Sequence, residues 1–109
     1  MEILSSDVIR GHLDAIVLSS LVLSDKYGVE LKNAVAQKTN GFYMPNEQSL
    51  YSAFHRLERD GLIDGRWGDG SEAKRKYYSI TQDGLDYLSS LIAAWENSKA
   101  LIDLLIKDA

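Results

Sequence analysis

The last quarter of the chain constrains the fold most, because it predicts one long apolar helix that a small domain cannot bury alone. Thr81 is placed to cap this helix, which we expect to run to about Lys107. Its apolar residues recur at heptad spacing, with Ser98 in the one polar position. The predicted contact positions are Leu88, Leu91, Ile92, Trp95, Ile102 and Leu105. Since the preceding residues form too small a domain to cover both flanks, we expect this helix to pack against the same helix of a second copy.

Composition favours one compact chain inside the cell. With 109 residues, 45% of them hydrophobic, we expect residues 1–80 to form one domain and residues 81–109 to form the dimerisation helix. The absence of cysteine excludes disulfides and thiol nucleophiles. No basic segment precedes an apolar run at the N-terminus, and the longest apolar stretches are too short to cross a bilayer. We therefore expect a cytoplasmic protein with no membrane partner.

The residues before Thr81 predict three helices followed by two strands. The expected elements are helices at residues 7–23, 26–39 and 46–60, a short strand at Phe42-Tyr43-Met44, and strands at 62–67 and 76–80 joined by a turn-rich loop. Asn40-Gly41 and Asp60-Gly61 predict left-handed ends for the second and third helices, and Asn46 caps the start of the third. This order predicts a mainly α (α+β) fold, a winged helix-turn-helix with a long C-terminal dimerisation helix.

The third predicted helix has one face that suits DNA recognition. Apolar residues between Leu50 and Leu57 have the i, i+3, i+4, i+7 spacing of a buried face. The start and outer side of the helix present groups that bind base edges and phosphates: Asn46, Gln48, Ser49, Tyr51, Ser52, His55, Arg56 and Arg59. The N-terminal half of such a helix enters the major groove, so we expect the early residues to read bases and the arginines to contact phosphates. The alternative is a solvated helix face with no partner.

The predicted hairpin, or wing, adds a basic segment. Lys74, Arg75 and Lys76 lie where the loop becomes the second strand, and a wing could project them toward the DNA backbone or minor groove. Alternatively, they keep an exposed hairpin soluble. The net charge of −4 is unusual for a DNA-binding protein. However, residues 81–109 carry 2 basic and 5 acidic side chains, whereas residues 46–80 carry 6 of each, so the predicted DNA-binding region is neutral.

Other motifs for catalysis or metal binding are weak. His55 and Glu58 have the i, i+3 spacing of two metal ligands, but no cluster of further ligands accompanies them. Gly68 and Gly70 lack the helix and the lysine-serine pair of a phosphate-binding loop. We therefore expect no enzyme activity, no metal site and no cofactor.

Trp95, midway along the C-terminal helix, permits a ligand site. A tryptophan in such a seam most often only packs. Across a two-fold axis, however, two copies of Trp95 could form a flat apolar slot for a planar aromatic effector. The first helix could line that slot with Val8, His12 and Ala15. Both interpretations stay open.

Four segments of the sequence resemble the signature blocks of the PadR family. They read IRGHL from Ile9, YGVEL from Tyr27, SLYSAFHRLERDGLI from Ser49 and RKYYSITQDG from Arg75. The third block is the most specific, and the resemblance spans nearly the whole chain. The length is similar to that of the short subfamily, which has one C-terminal helix.

This resemblance implies a repressor that binds inverted-repeat operator DNA as a homodimer. It also implies that small aromatic or multidrug-type compounds release the repressor from DNA. By the same resemblance, Tyr27, Tyr51, Lys74 and Arg75 lie near DNA. The turn before the third helix, Pro45-Asn46-Glu47-Gln48, departs from the family pattern, so base preference is not transferable.

Two rival functions remain open at this point. The acidic balance favours a protein–protein interaction module that kept the winged fold with little DNA affinity. Separately, the resemblance to the family implies weaker wing contacts with DNA, because Glu72 is an acid in the wing tip where the family often has basic runs. The other rival is a binder of hydrophobic compounds at Trp95, for which DNA is secondary.

Overall fold

The computed structural model describes residues 4–108, apart from the side chain of Ser6, and confirms a mainly helical fold with one small sheet. The helices are α1 (Ser6–Ile9), α2 (Leu13–Ser20), α3 (Gly28–Lys38), α4 (Glu47–Arg59) and α5 (Gln82–Lys107). The strands are β1 (Lys26–Tyr27), β2 (Ile63–Trp67) and β3 (Lys76–Ile80), with a 3-10 turn at Gly70–Glu72 in the β2–β3 loop. The strands form an antiparallel sheet in the order β1-β3-β2. This arrangement is a winged helix, and β2 and β3 form the wing.

The core lies between the helices and the inner face of the sheet. Phe54 of α4 stacks on Tyr78 of β3, with ring centroids 4.3 Å apart. Leu18, Leu31 and Ile63 are fully buried around this pair. Burial of each such side chain contributes about 1.5–3 kcal/mol, which is enough to hold the apolar side of α4 inward. The opposite side of α4 is thereby left in solvent.

The predicted caps of α4 and α5 are confirmed. The side chain of Asn46 accepts a hydrogen bond from the backbone amide of Ser49 at 3.1 Å. The hydroxyl of Thr81 accepts one from the amide of Gly84 at 3.0 Å. The chain leaves α4 through Gly61, whose φ of 75° lies in the left-handed region. These local signals therefore set the ends of the two helices that matter most for function.

The prediction of one continuous helix at residues 7–23 is wrong. The chain divides into α1 and α2, and α2 ends at Ser20. Between them Gly11 adopts a φ of 88°, which no residue inside a right-handed helix can have. The interruption places His12 immediately before α2 instead of within a helix.

The prediction of a strand at Phe42-Tyr43-Met44 is also wrong. The backbone amide and carbonyl of Tyr43 bond to the hydroxyl of Thr39, each at 3.1 Å, and the Tyr43 side chain is buried. The third strand is instead β1, where a helix was predicted to begin. Lys26 and Tyr27 pair with β3, so α3 begins only at Gly28.

The C-terminal helix α5 packs against the core of the domain only near its start. Leu88, which was predicted to contact a partner, is 7% exposed within the core of the same chain, and Leu91 packs partly against that core. Gly84 is also buried, and beyond Leu91 the apolar side chains face solvent. Among the described residues, no helix combines the length and hydropathy that a membrane span needs.

Candidate nucleic-acid interface

The outer face of α4 brings most of the sequence-predicted residues together. All of its predicted side chains are exposed, and they line one open depression: Gln48, Tyr51, Ser52, His55, Arg56 and Arg59. Asn46 and Ser49 lie at the N-terminal end of the same helix, where the Asn46 side chain is engaged as the cap. The depression therefore presents hydroxyl, amide, imidazole and guanidinium groups along a single helix face.

The two arginines of this face are each paired with a carboxylate. Arg56 donates a hydrogen bond to Asp14 of α2, and Arg59 lies 3.1 Å from the carboxylate of Asp60. Asp14 was not predicted from the sequence, because nothing local links residues that are 42 positions apart. A phosphate that binds either arginine must therefore compete with an internal carboxylate.

Tyr51 lies where α4 meets the start of α3. A Cβ atom placed on Gly28 would lie 3.0 Å from the Tyr51 hydroxyl oxygen, so glycine leaves room for this ring. Tyr51 is 49% exposed and also contacts Phe54 edge to face, with centroids 6.0 Å apart. The ring is thus held against the core on one side and is open to solvent on the other.

A groove of about 600 Å³ lies between the wing and the start of α3. Its lining combines aromatic and basic side chains: Tyr27, Gly28, Val29, Tyr51, Trp67, Lys74, Arg75, Lys76 and Tyr78. Tyr51 lines both this groove and the depression on α4, so the two surfaces are contiguous. Trp67, which is 64% exposed, was not predicted at this site from the sequence.

Arg75 and the acid of the wing tip form a small cluster with two tyrosines. The guanidinium carbon of Arg75 lies 4.6 Å from the ring centroid of Tyr27, and one guanidinium nitrogen is 3.3 Å from the carboxylate of Glu72. Glu72 also accepts a hydrogen bond from the Tyr77 hydroxyl at 3.0 Å. The stack keeps Arg75 in the groove, and Glu72 offsets part of its charge.

The other two basic residues of the wing differ in their surroundings. The ammonium of Lys76 is 2.8 Å from Glu58 of α4, and this hydrogen bond raises the pKa of Lys76 above its ordinary value. Lys74 is exposed and, within the described part of the chain, forms no hydrogen bond or ion pair. The three basic residues, which look equivalent in the sequence, therefore differ in the described structure. Lys74 is unpaired, Arg75 is stacked on a ring, and Lys76 is paired with a carboxylate of α4.

A second region of interest surrounds Trp95, away from α4. The His12 ring meets the Trp95 ring edge to face at 4.7 Å, and the ammonium of Lys99 is 5.9 Å from the Trp95 centroid. Trp95 remains 43% exposed. Of the other residues predicted there, Val8 is 59% exposed, whereas Ala15 packs partly against the core.

The described part of the chain gives no indication of a metal centre. Among residues 4–108, no three His, Cys, Asp or Glu side chains cluster as ligands would. Glu58, which has metal-ligand spacing from His55, is engaged by Lys76 instead. The chemistry of the site is therefore that of hydrogen bonds, stacking and ion pairs.

Solved structures of other proteins share this fold. A transcriptional regulator from Clostridium thermocellum is 40% identical in sequence and superimposes with a TM-score of 0.88, covering 95% of this chain and 99% of that one. A PadR family transcriptional regulator from Eggerthella lenta is 31% identical, with a TM-score of 0.84 over 94% of this chain and 88% of the other. A more distant structure, Bacillus subtilis PadR in complex with operator DNA, shares the fold at 18% identity, with a TM-score of 0.66 over 74% of this chain and 46% of that one.

A sequence model of the transcriptional regulator PadR-like family matches residues 17–90. That range includes α3, α4, the wing and the buried start of α5. Homologues in the PadR-like family are transcriptional regulators and not enzymes. This agrees with the expectation from sequence that the chain has no enzyme activity. With a winged helix, a polar recognition face and this match over most of its length, the chain belongs to the PadR-like family of transcriptional regulators.

Proposed function

We propose that the chain is a dimeric repressor that binds operator DNA and releases it when a small aromatic effector binds. The observation that carries the proposal is the continuity of the α4 depression with the wing groove through Tyr51. One duplex can then accept α4 in its major groove while the wing meets the adjacent backbone. Bacillus subtilis PadR, which shares the fold, forms a complex with operator DNA, and this supports DNA as the ligand.

The ion pairs on this surface favour sequence-specific over non-specific DNA binding. Non-specific affinity comes mainly from cations that neutralise phosphates, and Arg56, Arg59 and Arg75 already share their charge with carboxylates. Base contacts from the early part of α4, around Gln48 and Ser52, must then supply much of the binding energy at the operator.

The exposed stripe of α5 supports a homodimer. Ile92, Ile102 and Leu105 are 52%, 49% and 79% exposed, although each is a large apolar side chain. Burying such a stripe against the same stripe of a second copy removes it from water and duplicates the DNA-binding face. An inverted repeat matches that symmetry, with half-sites about 34 Å apart.

An effector site at Trp95 would couple to DNA through α5. The ring is half exposed and contacts His12. It lies on α5, which in the proposed dimer sets the distance between the two copies of α4. A planar ligand that prefers a dimer with another spacing must weaken DNA binding. By linkage, bound DNA lowers the affinity for the ligand by the same factor.

A gel-shift titration with the duplex upstream of the protein's own gene tests the DNA-binding proposal. We expect Arg59→Ala to weaken binding across all sequences and Gln48→Ala to relax preference at one base pair. Lys107→Met, which removes a cation at the end of α5, serves as the matched control. No shift by the folded wild-type dimer, even at low salt, would refute the proposal.

A second candidate function is the binding of hydrophobic compounds with little DNA affinity. The paired arginines and the half-exposed Trp95 favour it. Quenching of Trp95 emission by planar aromatic dyes, measured in a Trp67→Phe background, tests the site. Dye binding that persists unchanged in Trp95→Ala would exclude this location, and dye binding without any DNA shift would favour the second function over the first.

A further inference from the structure

We propose that Lys76 is a positioning residue that braces the wing against the recognition helix through Glu58, and that it does not contact DNA. The inference rests on the proposed DNA-binding function and assigns a different role to one member of the basic run Lys74–Lys76. Sequence alone treats the three residues as equivalent, whereas their surroundings in the structure are different.

The ion pair is partly enclosed. The Lys76 ammonium lies 2.8 Å from the Glu58 carboxylate, and the two side chains are 29% and 33% exposed. For comparison, the side chains of the Arg75–Glu72 pair are 45% and 49% exposed. Pairs with less solvent around them are screened less, so their geometry is held more firmly than that of surface pairs.

A glycine in the neighbouring strand makes room for this pair. A Cβ atom on Gly65 of β2 would lie 2.3 Å from Cε of Lys76 and 2.7 Å from a carboxylate oxygen of Glu58. Any larger residue at position 65 would therefore displace one partner. The Lys76 side chain passes over β2 at the one place in that strand that lacks a side chain.

Aromatic rings flank the ammonium group. Its distances to the ring centroids of Trp67 and Tyr78 are 5.9 and 5.6 Å, within the range of cation–π contacts. The carboxylate and the two rings surround the ammonium on several sides, and the whole side chain is 29% exposed. A phosphate that approached it would also meet the negative charge of Glu58.

The brace joins two elements that are distant along the chain. Glu58 and Lys76 are 18 residues apart, and their ion pair adds an outer contact between α4 and β3 to the stack of Phe54 on Tyr78 in the core. Lys74 lies two residues before the brace, a span of about 7 Å in extended chain. Holding Lys76 to α4 therefore fixes where Lys74 and Arg75 emerge relative to the base-reading end of the helix.

The salt dependence of DNA binding separates bracing from phosphate contact. Using the duplex upstream of the protein's own gene, the dissociation constant is measured over a salt series for Lys74→Met, Lys76→Met and the control Lys107→Met. Each lost phosphate contact lowers the slope of log affinity against log salt by about 0.9, so Lys74→Met lowers it by about 2 in a dimer. Lys76→Met weakens binding on the order of fivefold but leaves the slope at the wild-type value. If Lys76→Met reduces the slope as much as Lys74→Met does, the brace is overturned.

For Glu58→Gln, the brace and simple electrostatics predict opposite changes in DNA affinity. Removing a negative charge from a DNA-binding face should tighten binding if Glu58 only repels phosphates. The brace predicts the same loss as in Lys76→Met, with no further loss in the double variant and a similar loss in Gly65→Ala. Tighter binding by Glu58→Gln overturns the proposal, provided that melting curves show each variant folded.

Trp67 emission tests the brace without DNA. In a Trp95→Phe background, Glu58→Gln should alter the emission of Trp67, because it releases the Lys76 ammonium that lies 5.9 Å from the indole ring. Once Lys76 is replaced by methionine, Glu58→Gln should change the emission no further. If the wild-type protein binds no duplex, the proposed function fails, and this measurement alone judges the brace. If neither variant changes the emission of Trp67, the brace is overturned.

Discussion

Replacing Gly84 by alanine tests how α5 is joined to the winged domain. On helix propensity alone, this substitution in the first turn of a helix should stabilise the protein by about 0.8–1 kcal/mol. In the structure, however, the added Cβ would lie 2.1 Å from the Leu62 carbonyl oxygen and 2.7 Å from Cγ1 of Ile80. A carbon and a carbonyl oxygen approach no closer than about 3.3 Å, so α5 or the start of β2 must move by about 1 Å.

The cost of that movement exceeds the gain in propensity. Overpacking a close contact typically costs about 1–3 kcal/mol, and the obstacle here is backbone that cannot rotate away. The Leu62 carbonyl also accepts a hydrogen bond from the Thr81 amide at 3.1 Å, which the movement strains. We expect a net loss of about 1–2 kcal/mol in the free energy of unfolding, which corresponds to a fall in Tm of roughly 5–10 °C for a domain of this size.

Thermal and urea unfolding followed by circular dichroism measure this loss. Ser89→Ala, at an exposed position of the same helix, is the matched control and should be neutral or slightly stabilising. A Gly84→Ala protein that melts at or above the wild-type temperature would refute the close approach of α5 to β2. Because α5 also sets the spacing of the proposed dimer, the variant should bind DNA more weakly even where it is fully folded.

Three further predictions concern the wing, the recognition helix and the dimer. Glu72→Gln should tighten DNA binding by up to about fivefold, because it frees Arg75 from a surface ion pair; unchanged affinity by fluorescence anisotropy would contradict this. Asn46→Ala should lower the free energy of unfolding in urea by about 1 kcal/mol through loss of the α4 cap, whereas Asn46→Asp should retain most of it. Ile102→Glu should give a folded monomer in sedimentation analysis, since Ile102 is 49% exposed in the single chain; a dimer of unchanged stability would exclude this stripe as the interface.

Elements with strong local signals were predictable from the sequence. The caps at Asn46 and Thr81, the left-handed exit at Gly61 and the buried face of α4 all follow from interactions within a few residues. The same periodicity that turns the Leu50–Leu57 face inward leaves the polar face of α4 outside. The candidate recognition surface was therefore largely predictable, along with the family.

Features that depend on distant partners were not predictable. β1 has two residues and exists only because Lys26 and Tyr27 meet β3, so no local pattern distinguishes it from the start of a helix. Conversely, Phe42-Tyr43-Met44 has strand-like composition but finds its hydrogen bonds at Thr39. Tertiary contacts overrode propensity in both segments.

The sequence by itself determined the helices with clear caps, the apolar stripe of α5 and which polar side chains face outward from α4. Only the tertiary structure decided which charges on that surface are free. Lys74 remains unpaired among the described residues, whereas Lys76 and Arg56 find carboxylates 18 and 42 positions away. The physical reason is that periodicity and capping are local and can be read along the chain, whereas the pairing of charges depends on how the folded elements approach one another.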